Sequence, residues 1–264
     1  MASVRDGKGP PSEGTVGSRL PERVASQPKT SGRRLHGAVA NLLGTAIVNG
    51  RVPVGEKLTG EVANAEALDV SRSAYREAVQ VLTAKGLVVS KPKDGTRVLP
   101  RSHWNMLDPM VLSWAFAEEP DAAFVRDLFE LRAVVEPAVA RMAAQRRSGE
   151  HIEIMRESLA RMRKHTLRSE QGRAADRRFH ESLIVATGNS AMMSLAASIA
   201  AAVGYTTQMK SRADSVARDP LPDHEAVFRA VEARDGDAAA QAMKKLVDLA
   251  HTDTREAIDR LAKG

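Results

Sequence analysis

DVSRSAYREAV, residues 69–79, decides how the first part of this chain folds. Ser71 is a natural N-cap, and Tyr75, Ala78, Val79 and Leu82 recur at the i, i+3, i+4, i+7 spacing that lays apolar side chains along one helical face. At 100° per residue, Arg72, Ser73 and Arg76 fall on the opposite side. A solvated charged face is the ordinary reading of such arginines. The context argues for more. Just upstream, TGEVANAEALD (59–69) reads as a second short helix, with Thr59 as N-cap and Glu61 in its first turn, and only ALDVS connects the two. Two short helices across a tight turn, the second leading with arginine and serine, match a helix-turn-helix whose recognition helix enters a DNA major groove. Arginine there reads guanine or clamps phosphate, and hydroxyls serve either role.

The flanks fit that reading. RRLHGAVANLLGTAIVNGRV (33–52) places Leu35, Val39, Leu42, Leu43 and Ile47 at helical spacing, with Gly50 as a stop. VPVGEKL then reads as a turn. GLVVSKPKDGTRVLP (86–100) reads as a β-hairpin turning at KPKDG, with Lys91, Lys93 and Arg97 at or near its tip. Helix-turn-helix plus basic hairpin is a winged helix-turn-helix. Charge is distributed accordingly: residues 1–103 carry 16 Lys+Arg against 9 Asp+Glu, a net of +7, and the remainder 23 against 24, a net of −1. An excess confined to one part of the chain suits a polyanionic partner there, although an incidental basic surface would look the same. The absence of cysteine excludes disulfides and thiolate metal sites and fits a reducing cytoplasm. No apolar run is long enough to span a membrane. Residues 1–31, rich in Gly, Pro, Ser and charge, read as a disordered arm without a secretory h-region.

GRVPVGEKL, LDVSRSAYREAVQVLTAKGLVVS and DGTRV together resemble the DNA-binding domain of the GntR family of transcription regulators, with VSR, REA and GL as the diagnostic part. The resemblance implies DNA contacts from Ser71, Arg72, Ser73 and Arg76, with Gly95 and Thr96 at the wing. LTGEVAN departs from the family pattern. Val62 stands where an arginine often touches DNA, and Asn64 where the pattern has a core leucine, so an altered operator preference or weaker phosphate anchoring is expected.

RSHWNMLDPMVLSWAF (101–116) resembles the junction found in galactonate-type sugar-acid regulators of that family. Trp104 and Leu107 are expected to dock the wing on the next domain, and Asp108-Pro109 to start a helix. Beyond it every segment reads as helix: 120–146, 149–168, 171–187, 189–212, 222–235 and 237–261. Phe124, Leu128, Leu131, Val135 and Val139 form the apolar stripe of the first. The expected fold is mainly α: a winged helix-turn-helix over 32–100, a linker over 101–119, and an all-helical domain over 120–262.

Inside that domain Asp176 and His180, at i, i+4, share one helical face, where a carboxylate and an imidazole either bond to each other or hold a divalent cation. LFELRAVVEPAVARMAA, ADRRFHESLIVATGNSAM and HEAVFRAVEARDGDAAAQAM, in that order, resemble the FCD effector-binding domain of the FadR subfamily. The resemblance implies a metal held by Asp176, His180 and His224, zinc first, with nickel or manganese as alternatives. The family's further histidine is Leu246 here, so a fourth protein ligand is missing. Open metal positions would suit a small hydroxy-carboxylic acid effector. Arg132 either forks onto the effector's carboxylate or pairs with Glu136 at i+4. Thr206, Thr207 and Gln208 interrupt an apolar helix and are expected to line the cavity. Asn189 reads as a helix cap, and His36, His103, His151, His165 and His251 as ordinary histidines. The function expected is a homodimeric, operator-binding repressor relieved by its effector. Two other classes stand beside it: a metal-dependent hydrolase fused to a DNA-binding module, with Glu181 as the one neighbouring base, and an architectural DNA-binding protein without a ligand.

Overall fold

The computed structural model describes residues 32–58, 61–212 and 218–261. The expected N-terminal arm, the Thr59 cap and the side chains of Leu35 and Glu61 lie outside what is described. The chain divides into two compact units, with the boundary between Trp104 and Asn105.

The first unit contains α1 (Gly32–Val48), β1 (Lys57–Leu58), α2 (Glu61–Ala67), α3 (Arg72–Ala84), β2 (Val88–Lys91) and β3 (Gly95–Val98). Val39, Leu43 and Ile47 of α1 pack against Tyr75, Ala78 and Leu82 of α3, all buried, as the helical spacing requires. Leu42 is only half-buried; Ala40 and Ala46 take the sealed positions beside it. β2 and β3 form the expected hairpin, pairing Val88 with Val98 and Lys91 with Gly95. The sequence reading missed β1. Lys57 and Leu58 pair with Arg97 and Thr96, making an antiparallel sheet of order β1-β3-β2. Two residues are too few to show alternation, so their strand character comes from their partner.

Tight backbone joins hold this unit. Asp69 turns the chain between α2 and α3 at φ 54°, in the left-handed region, and Val70 N–H donates to Ala65 O at 2.9 Å. Gly86 follows α3 at φ +75°, where a Cβ would stand 2.1 Å from the His103 carbonyl oxygen. Only glycine lets the turn at Arg101–His103 close on it. Asn64, at the position expected to hold a core leucine, is buried and donates through Nδ2 to the Tyr75 hydroxyl at 2.6 Å. The polar group thus enters the core with a partner, and the fold survives the exchange.

The stretch 101–119 carries structure on both sides of the unit boundary. Trp104 is buried in the first unit, donating Nε1–H to Leu99 O at 2.8 Å. In the second unit α4 (Pro109–Ala115) starts where Asp108 caps Met110 N–H at 2.9 Å, and it packs on α9. Phe116 stacks on Tyr205 of that helix, ring centroids 5.7 Å apart. The remaining elements are α5 (Ala122–Arg146), α6 (Gly149–His165), α7 (Glu170–Ala186), α8 (Ser190–Met193), α9 (Ala196–Arg212), α10 (Leu221–Glu232) and α11 (Gly236–Leu261). α5 packs on α11 and α7, α6 on α7 and α10, and α7 on α9. Asp121, Ser148, Ser169 and Asn189 cap α5, α6, α7 and α8 through their side-chain oxygens. The single helix expected over 189–212 is broken at Ser194-Leu195 into α8 and α9.

The buried stripe of α5 differs from the apolar stripe read from sequence. Val125, Leu128, Phe129, Arg132, Glu136 and Val139 are buried, whereas Phe124, Leu131 and Val135 are half-exposed and Val134 is 74% exposed. A buried ionic pair rotates the helix away from the face that hydrophobicity alone selects.

Candidate functional site

Ser71 Oγ accepts from Ala74 N–H at 3.2 Å and lies 3.1 Å from Ser73 Oγ. Capping therefore occupies Ser71, while Arg72, Ser73 and Arg76 stay exposed on the leading edge of α3, opposite its core face. On the hairpin Lys91, Lys93 and Gly95 are exposed and Thr96 is half-buried, its hydroxyl 2.8 Å from Ser90 Oγ. Lys93 and Gly95 take φ values of 66° and +81°, which turn the tip. Arg97 is exposed but engaged: it donates to Gly55 O at 2.6 Å and lies 3.7 Å from Asp94, which Lys57 also approaches at 3.6 Å. Arg97 thus ties the strands together as well as adding charge. Val62 is 43% exposed, an apolar side chain on the helix that precedes the recognition helix.

The second unit holds a polar cluster in its interior. Asp176 and His180 project from one face of α7, and His224 from the first turn of α10; all three are buried. Their ligand atoms lie within 4.8 Å of one another. Each imidazole is oriented by a second group. His180 Nδ1 is 2.8 Å from Glu136 Oε2. His224 Nδ1 is 2.8 Å from Pro220 O, and since a carbonyl only accepts, Nδ1 carries the proton. Both Nε2 atoms therefore face Asp176 Oδ1, His224 at 2.9 Å and His180 at 3.7 Å. Phe179 packs edge-on against both rings, with centroids 5.9 Å and 5.4 Å away, and holds their planes.

That arrangement fits a cation. In the neutral tautomer His224 Nε2 presents a lone pair to a carboxylate oxygen, and both Nε2 and Asp176 Oδ1 are buried without a hydrogen-bond partner. Two buried acceptors facing each other are costly unless a positive charge joins them. Nδ1–H donated to a carboxylate or a carbonyl, with Nε2 turned to a common point, is the arrangement that metal-ligating histidines adopt. Leu246 is buried in α11, and among the described residues no histidine, cysteine or acidic residue joins the three.

The electrostatics follow from burial and pairing. Burial alone would raise the Asp176 pKa; without a metal, the imidazoles of His224 and His180, when protonated, and the charge of Lys210 outweigh it and hold the carboxyl well below its usual range. Glu136 behaves alike: burial acts to raise its pKa, but Arg132 and His180 beside it bring it down to about 2. Arg132, itself buried, donates Nε–H to Glu136 Oε1 at 2.5 Å and Nη1–H to Thr206 at 3.2 Å. Thr207 donates to Asp176 Oδ2 at 3.2 Å.

Beside the cluster is a cavity of about 390 Å³ between α6, α9 and the start of α10. Thr207 lines it, as does Pro220, whose carbonyl orients His224. Arg132 does not line it, and Gln208 faces a separate groove between α7 and α9. Lys210 lines the cavity and was missed in the sequence reading; its only signal is its place three residues after Thr207 on the same face of α9. Burial lowers the pKa of Lys210, and the charges of Asp176 and Asp253 oppose that shift. Glu181, the one base a hydrolase could have recruited nearby, is exposed. His151 is not idle: its Nδ1 accepts from Ser148 N–H at 3.1 Å and completes the α6 capping box.

Comparison with known proteins identifies the family of each unit. Residues 35–98 match the model for bacterial regulatory proteins of the gntR family, and residues 127–249 match the FCD domain. The chain is 32% identical over 227 residues to the HTH-type transcriptional regulator YieP of Escherichia coli, covering 85% of this chain and 97% of that one. It is 33% identical over 208 residues to the galactonate operon transcriptional repressor of E. coli, covering 78% and 90%. It is 32% identical over 203 residues to LutR of Bacillus subtilis, covering 75% and 90%. Among solved structures, Lar of Listeria monocytogenes shares the fold at a TM-score of 0.60 and 20% identity, over 88% of this chain and 99% of that one. With a winged helix-turn-helix in front and an FCD domain behind, the chain belongs to the GntR family of bacterial transcription regulators, in its FadR-type branch.

Proposed function

We propose that this regulator represses genes for the breakdown of a sugar acid or a related small hydroxy acid, and that the acid releases it from its operator. The observation that carries the reading is the convergence of Asp176, His180 and His224 beside a cavity large enough for a small ligand. The three would hold a divalent metal, zinc first, with nickel or manganese as alternatives. A metal with protein ligands on one side supplies open positions for a carboxylate and its neighbouring hydroxyl. Thr207 reaches both the cavity and Asp176, so a ligand there meets a group already bonded to the site. Arg132 sits one step behind, bonded to Glu136 and Thr206, where it would feel a shift in the effector through those partners. The galactonate operon repressor at 33% identity supports the sugar-acid class.

On the DNA side, Arg72, Ser73 and Arg76 would enter the major groove, with Ser71 at the helix start, its hydroxyl still free to donate while it caps. Lys91, Lys93, Gly95, Thr96 and Arg97 would place the wing against the backbone or minor groove. The active form would be a homodimer on a pseudo-palindromic operator, with the acid shifting it between DNA-competent and incompetent arrangements.

The test uses a duplex selected by the protein from a randomised pool and followed by fluorescence anisotropy. Galactonate, lactate and other hydroxy acids are added with zinc or with a chelator. One acid is expected to weaken DNA binding at least tenfold only when the metal is present. Operator affinity that ignores metal and every acid would leave a ligand-independent DNA-binding protein instead.

A further inference from the structure

The cavity is lined by four cations, Arg163, Arg168, Lys210 and Arg218, against one carboxylate, Asp219. Three of the four are engaged. Arg163 donates to Glu225 at 2.5 Å, Arg218 is bound by Asp223 and by Asp253, and Arg168 has partners of its own. Lys210 is half-buried and makes no hydrogen bond or ion pair among the described residues. A partly dehydrated ammonium without an acceptor is costly to hold in a wall, and an anion in the cavity removes that cost. Lys210 sits at i+3 from Thr207, which bonds to Asp176, so an anion received by Lys210 lies beside the ligand cluster. Arg132 is a poorer receptor: it is absent from the cavity lining, and its Nε and Nη1 donors are taken by Glu136 and Thr206.

We infer that Lys210 is the residue that receives the effector's carboxylate, and that it sets the pocket's preference for an acid over a neutral polyol of the same size. The inference rests on the reading of this cavity as the effector site. A lysine suits the task because its compact charge and three donors follow a small carboxylate without the fixed fork that an arginine imposes. Arg132 then acts through Glu136 on His180, as a positioning residue that does not touch the ligand.

The test compares the full-length, zinc-loaded chain with Lys210→Met, Lys210→Arg and His180→Ala. Glycolate and galactonate serve as acids, and ethylene glycol and galactitol as their uncharged counterparts. Thermal shift and titration calorimetry read binding, and zinc content is measured on each variant. Both acids should stabilise the wild type and the polyols should not. Lys210→Met should weaken acid binding at least tenfold with zinc content unchanged, and Lys210→Arg should restore most of it. Lys210→Gln with native circular dichroism guards against a folding defect peculiar to methionine. Acid binding by Lys210→Met within twofold of wild type overturns the inference, and so does a wild type that neither acid stabilises. If His180→Ala loses acid binding while Lys210→Met keeps it, the metal-site reading stands and the lysine assignment falls. If Lys210→Met loses it while His180→Ala keeps it, the lysine stands and the metal drops out of effector binding.

Discussion

Replacing Glu136 by glutamine tests the interior chemistry without removing any of the three candidate ligands. Glu136 is buried, bonded to Arg132 at 2.5 Å and set 2.8 Å from His180 Nδ1. Its pKa is lowered from 4.5 to about 2, a preference for the ionised form worth about 3 kcal/mol. The sign is that of a depressed carboxyl: the stabilisation is fully present above pH 4.5 and is lost as pH falls from there toward 2. Glutamine keeps the shape but strands the Arg132 charge, and breaking a buried pair in this way costs about 3–5 kcal/mol. For a unit of this size each kcal/mol lowers Tm by about 2–4 °C, so a fall of roughly 6–20 °C is expected at pH 7. The second effect is on the metal. With its oxygen on Arg132, the amide turns NH₂ toward His180 Nδ1, which must then accept, and the ring proton moves to Nε2. That nitrogen no longer offers a lone pair beside Asp176, so metal affinity should fall about 10- to 100-fold, as loss of an orienting partner does. Differential scanning calorimetry and competition with a chromophoric chelator measure the two effects separately. A variant that binds zinc within twofold of wild type would refute the tautomer argument. A Tm unchanged at pH 7 would refute the energetic one.

The remaining expectations concern the first unit. Arg72→Ala and Arg76→Ala should each weaken DNA binding, and if the lost contact is to phosphate the slope of log K against log salt should fall by about 0.9, read by anisotropy across a salt series. Asp69→Gly should stabilise the first unit by about 0.5–1 kcal/mol in thermal unfolding, because the native φ of 54° costs aspartate more than glycine. Gly86→Ala should cost at least about 2 kcal/mol, since both the positive φ and the His103 carbonyl oppose a Cβ there. Tyr75→Phe should cost about 1–3 kcal/mol by removing one acceptor of the buried Asn64 amide, and a double-mutant cycle with Asn64→Leu should show the two residues coupled.

Where one face decides the fold, the sequence was readable. α3 carries a sharp apolar stripe with a serine at its start, and its core and exposed faces lie where the periodicity puts them. The 2.6 Å bond between Asn64 and Tyr75 could not be read, because nothing local ties residue 64 to residue 75. β1 was illegible for a related reason: a two-residue strand exists only by pairing with β3. On α5 the periodicity misled, since Arg132 and Glu136 look like surface residues until Thr206 and His180 arrive from other helices to satisfy them. The candidate metal cluster was half legible. Asp176 and His180 announce themselves at i, i+4, but His224 is 44 residues further on, and only resemblance to the FCD domain joined it to them before the fold did. Lys210 carried no motif at all. Its meaning comes from the fold, which sets it on the cavity wall without a hydrogen bond or ion pair among the described residues.

The polar interior also bears on why the second unit is built as it is. Arg132, Glu136, Asp176, His180 and His224 are all nearly sealed from solvent. Taking such groups out of water costs several kcal/mol per ion, and well-packed apolar side chains of the same volume would serve stability as well or better. A helical bundle selected for stability alone would not keep five of them together. The residues are also not interchangeable, for each orients the next: Arg132 holds Glu136, Glu136 sets the tautomer of His180, Pro220 sets that of His224, and both histidines turn one nitrogen to Asp176. Among these five residues Glu136 Oε2, Asp176 Oδ1 and His224 Nε2 remain without a hydrogen-bond partner, with the Lys210 ammonium on the cavity wall nearby. Two of those three atoms face one point, so a divalent cation held by Asp176, His180 and His224, as proposed above, would remove most of the deficit, and an anion in the cavity would meet the ammonium.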